Sequence, residues 1–70
     1  MKTFEINLSD RETPSTVQAL DIGKALTSVV GERLLRAHFS HINDDGHVFN
    51  LLVAKGNSTD GIRAVVRVSE

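Results

Sequence analysis

The three histidines of the chain, His38, His41 and His47, surround the adjacent aspartates Asp44 and Asp45 in the segment AHFSHINDDGHVFNLL. Neutral imidazole and carboxylate together suit zinc or nickel. Their spacing matches no established ligand pattern, however, and the chain has no cysteine to complete one. Aspartates also favour turns, because their side chains bond to nearby backbone groups. The segment therefore reads first as a turn between two strands with exposed histidines at the strand ends. No metal or other cofactor is expected.

The remaining templates for chemistry are weaker. Serines accompany the histidines, but no GxSxG elbow or comparable context surrounds them. KGNSTDG has the glycine and hydroxyl content of a phosphate loop but lacks the lysine and hydroxyl residue after its final glycine, so a hairpin connection fits better. Asp44 and Asp45 sit on an exposed turn, where nothing raises a carboxyl pKa for acid catalysis. Asn7 and Asn57 head glycosylation acceptors that matter only in a secreted chain. With no complete constellation, the expectation is a protein that is not an enzyme.

Composition sets the frame for whatever surface carries function. Seventy residues, 40% hydrophobic and 24% charged, fit one small domain spanning 1–70. A chain this short buries only about 60% of its unfolded surface, so its core is marginal and association with a copy or a partner is favourable. The net charge of −1 supplies no overall pull toward nucleic acid or an acidic membrane. MKTFEINLSD carries alternating charges and no apolar run, which is the pattern of neither a secretion signal nor a membrane span. Together with the absence of cysteine this gives the expectation of a soluble, cytoplasmic protein.

The elements follow from periodicity. Phe4, Ile6 and Leu8 alternate with Thr3, Glu5 and Asn7, the pattern of a half-buried strand. Pro14 as a first helical residue, or Ser15 with Gln18 as a capping box, predicts a helix start. Ala19, Ile22, Leu26, Val29 and Val30 then form one apolar helical face, with Gly31 as the stop. Val17 and Leu20 fall off that face. Leu35, Ala37 and Phe39 restore a period of two, and NDDG predicts a hairpin. A three-residue loop with Gly46 as a bulge places Phe39 opposite Leu51 and Ala37 opposite Val53. After the turn-forming GNSTDG, the last strand pairs Leu51 with Val66 and Phe49 with Val68.

The fold class expected is α+β, β-α-β-β-β, with one helix packed on one face of a mainly antiparallel four-stranded sheet. The pattern leaves open which edge the first strand joins. Under this register His38 points away from the core, whereas His41 and His47 share the other parity. The uncovered face carries rows of Arg36, Ala54 and Arg63, then His38, Leu52 and Val65, then Ser40, Asn50 and Arg67. Arg36, His38, Leu52, Arg63, Val65 and Arg67 are the candidate binding residues, with Leu52 and Val65 as a dry centre and the arginines as a rim. Glu5 faces Arg63 or Arg67 if the first strand lies beside the last.

Three readings compete for this face. The favoured one is a non-catalytic protein-interaction module, an adaptor or an inhibitor, homodimeric through the uncovered sheet. A nucleic-acid binder is the alternative, opposed by the core parity of Phe4, Phe39 and Phe49, since sheet readers of single strands stack bases on exposed aromatics. A small enzyme with a site shared between subunits is the third. No membrane partner is expected.

Overall fold

The computed structural model describes residues 1–69. Alternation at the start of the chain produces β1 (Lys2–Leu8), which buries Phe4, Ile6 and Leu8 and turns Thr3, Glu5 and Asn7 to the other side. The segment expected to open the helix is instead a second strand, β2 (Ser15–Ala19), antiparallel to β1. Val17 and Ala19 lie on the core side there, while Thr16 and Gln18 are exposed. The misfit of Val17 on a helical face thus has a physical origin: its neighbours alternate at a period of two, and Pro14 precedes a strand edge instead of a helix.

Asp21 caps the helix, α1 (Ile22–Val30), by accepting a hydrogen bond from the Lys24 amide at 2.8 Å. Ala25, Leu26 and Val30 are buried, with Ile22 and Val29 packed beside them, and Gly31 ends the helix by donating its N–H to the Thr27 carbonyl. Asp21→Ala is expected to lower unfolding free energy by about 1 kcal/mol in a urea titration, the usual effect of losing such a cap. No change would show that packing alone holds the helix entry.

A short 3-10 turn (Gly31–Arg33) leads into β3 (Leu34–Asn43), β4 (Gly46–Lys55) and β5 (Ser58–Ser69). The sheet order is β2-β1-β5-β4-β3 with antiparallel neighbours throughout, so the first strand joins the last and α1 carries the chain from one edge to the other. Among the described residues there are therefore five strands, one more than expected, within the α+β class. No helix of the described residues is long and apolar enough to cross a membrane.

The hairpin register differs from the expected one. Asn43 pairs with Gly46, giving a two-residue loop of Asp44 and Asp45, and the extra residue lies inside β3 at Ser40, where pairing shifts between Phe39 and His41. A second shift falls at Leu35. Phe39 consequently faces Phe49, and Ala37 faces Leu51. Leu51 pairs with Ile62 and Phe49 with Ala64, a displacement of four residues along β5 that preserves parity. The core face is therefore the same in either register: Leu51, Val53, Ile62, Ala64 and Val66 are all buried.

Candidate interaction surface

Two surfaces of the sheet are open, and the brevity of α1 explains the first. Nine helical residues span about 14 Å, whereas ten strand residues span about 33 Å, so one helix cannot cover the core-facing side of the sheet. Burial falls away along two sheet rows. In one, Ile6 and Val66 are buried, His47 is half-buried and Ile42 is 64% exposed. In the next, Leu8 and Ala64 are buried, Phe49 is half-buried and Phe39 is 55% exposed. Phe39 meets Phe49 edge to face with ring centroids 5.5 Å apart, and the His47 ring lies 6.2 Å from Phe39. The alternation predicts Phe39 in the core; its parity is right, but no element among the described residues reaches far enough to cover it.

The opposite side gathers the six candidate residues, all of which the register places on one face. Their rows differ from those expected. Arg36 stands opposite Leu52, which faces Gly61; His38 stands opposite Asn50, which faces Arg63. His41 stands opposite Val48, which faces Val65, and Arg67 faces Glu5. Leu52 and Val65 are not neighbours, because the four-residue displacement of β5 separates their rows by about 13 Å. The dry centre is Val48 with Val65 instead, and Val48 is already buried. Among the described strand residues of this face Glu5 is the only acid, set against Arg36, Arg63 and Arg67.

Comparison with protein-family models, curated proteins and solved structures finds no match.

The histidine segment resolves into a turn. The Asp45 amide donates to the Asn43 side chain at 2.8 Å, so Asn43 shapes the reversal. The bulge at Ser40 moves His41 to the side of His38, whereas His47 faces the core side beside Phe39. His41 and His47 therefore do not share a parity, contrary to the expected register, and no cluster of three metal-ligating side chains forms among the described residues. Ser40 Oγ lies 2.9 Å from His41 Nδ1, but both side chains are exposed and adjacent in sequence, a local bond across the bulge.

An open depression of about 530 Å³ is lined by Ser9, Asn50, Leu51, Gly61, Ile62 and Arg63. Ser9 Oγ accepts the Arg63 amide at 2.9 Å, and the Ser9 amide donates to the Arg63 carbonyl at 2.8 Å. Its hydroxyl thus joins the chain after β1 to the strand next to it. The surface residue that sequence reasoning missed altogether is Ile42. The signal was present: apolar residues at 35, 37 and 39 are followed by one at 42, and that change of phase marks the bulge.

Proposed function

We propose that this chain is a non-catalytic protein-interaction module that works by occupying a protein surface, in the manner of an adaptor or an inhibitor, within the cytoplasm. The observation that carries this reading is the exposed pair Phe39 and Ile42, set beside half-buried Phe49 on a strand with one free edge. Aromatic and aliphatic side chains that sit together on a rigid sheet bury a large area at low cost in conformational entropy, which is what anchors protein contacts. Single exposed apolar residues are ordinary; apolar residues in adjacent rows of one sheet face, as Phe39 opposite Phe49 and Ile42 in the next row, are the feature of a binding surface.

The nucleic-acid reading draws support from Arg36, Arg63 and Arg67 sharing one face with His38. Phe39 is an exposed aromatic, which that reading requires, but it lies on the opposite face from the arginines. Stacking and phosphate contacts would then have to come from different sides of the sheet. The protein reading is preferred for that reason.

Affinity capture from native cell lysate separates the two, using wild type, a Phe39→Ser/Ile42→Ser variant and an Arg36→Ala/Arg63→Ala/Arg67→Ala variant, each with and without nuclease. The expected result is a protein partner that survives nuclease and is lost only with the Phe39 and Ile42 changes, in variants shown by circular dichroism to be folded. Enrichment lost to nuclease and to the arginine changes would establish the nucleic-acid reading in its place. That binding would also weaken with salt, with a log-log slope of about −2 to −3 for three phosphate contacts.

A further inference from the structure

We propose that the occupant of the β3 edge is a second copy of this chain, paired antiparallel through Ala37, His38 and Phe39 so that two sheets join edge to edge. The proposal rests on reading this edge as a protein contact and names the partner.

The two edges of the sheet differ in how open they are. The β2 edge offers five residues directly after Pro14, while β3 offers ten, LLRAHFSHIN, in which Arg36 is the one residue of fixed charge. Proline, lysine and inward-pointing acids, the usual protections of a sheet edge, are missing from β3. What interrupts it are the two bulges, at Leu35 and Ser40, and between them Arg36–Phe39 is regular strand. Every residue of that stretch is exposed.

An antiparallel join about a two-fold axis perpendicular to the sheet keeps both helices on the same side. The uncovered Phe39 of each copy then flanks the axis on that side, with Ile42 of each copy further out along the join. With the axis at His38, Ala37 falls opposite the partner's Phe39, a small side chain against a large one, and the reciprocal pair repeats it.

Charge selects the antiparallel direction. Arg33 and Arg36 lie at the start of β3, with Glu32 leaving that end net positive, and Asp44 and Asp45 lie just beyond its other end. Antiparallel pairing sets the basic end of each copy beside the acidic end of the other, whereas parallel pairing sets like beside like. The short regular stretch and the adjoining side chains bury on the order of 800 Å² in total, below the ~1,200 Å² of standard stable interfaces, so the dimer is weak and reversible.

Sedimentation velocity on the full chain over a range of concentrations tests this, with circular dichroism on every variant. Wild type is expected to dimerise with a dissociation constant of roughly 10–100 μM, and Ala37→Lys to raise it by about tenfold or more by placing a charge on the join. Arg36→Glu and the pair Asp44→Lys/Asp45→Lys should each weaken association, and combining all three should recover it. Since the chain has no native cysteine, His38→Cys should form a disulfide dimer in a glutathione buffer, while Thr16→Cys on the far edge should not. A wild type that stays monomeric to about 1 mM, against that expected range, or a dimer indifferent to Ala37→Lys, overturns self-pairing. If such a protein still captures a cellular partner through Phe39 and Ile42, the interaction-module reading stands and only the identity of the occupant is wrong. If it dimerises as described yet captures nothing, self-pairing holds and the wider reading fails.

Discussion

Gly46→Ala is expected to destabilise the domain by about 3 kcal/mol, several times the effect of an ordinary turn substitution. Gly46 has φ 131°, a backbone conformation that L side chains rarely adopt, and a Cβ built there runs into the Val66 carbonyl oxygen and touches Arg67 Cγ at 3.0 Å. The obstruction is backbone of the neighbouring strand, so it yields only if the β4–β5 pairing opens. Gly56→Ala is the control: φ is 62° and nothing lies within 4 Å, leaving only the left-handed backbone cost of about 1 kcal/mol. A domain of this length has a total stability of about 4–10 kcal/mol, so the first change removes a large part of it and the second a small part. Urea midpoints of the two variants decide the matter. Equal losses would mean that the end of β4 does not lie against Val66.

Leu26→Ala is expected to cost about 3 kcal/mol and to lower the melting temperature by roughly 12–25 °C. Leu26 is 1% exposed at the contact between α1 and the sheet, and with a single helix in the described residues no neighbouring element can move in to fill the space. Leu20→Ala should change stability by no more than about 0.5 kcal/mol, because Leu20 is 65% exposed between β2 and α1. Thermal unfolding followed by circular dichroism compares them.

Wherever parity alone decides, the sequence was readable. Phe4, Ile6 and Leu8 are buried as their alternation requires, and Leu51, Val53, Ile62, Ala64 and Val66 are buried despite a displaced register, because a shift by an even number of residues returns each side chain to the same face. For the same reason all six candidate residues share the uncovered face. Adjacency within that face was not readable. Whether Val65 sits beside Leu52 or Val48 depends on the length of a turn, and Gly56 with Asn57 closes β4 to β5 in two residues where a longer connection was expected.

The sequence by itself determined the α+β class, the core of α1 and the sidedness of β1, β4 and β5, since these follow from local periodicity and from the need to bury apolar surface. Tertiary structure decided the rest. Residues 15–19 became a strand because β1 offered them a free edge to pair with, an attraction no local propensity records. The bulge at Ser40 carried His41 to one side and left Ile42 on the other, beside Phe39. And the exposure of Phe39 and Ile42 reflects length: nine helical residues lie on a sheet whose β3 edge runs for ten, so apolar side chains of correct core parity meet solvent along the part of β3 that the helix does not reach.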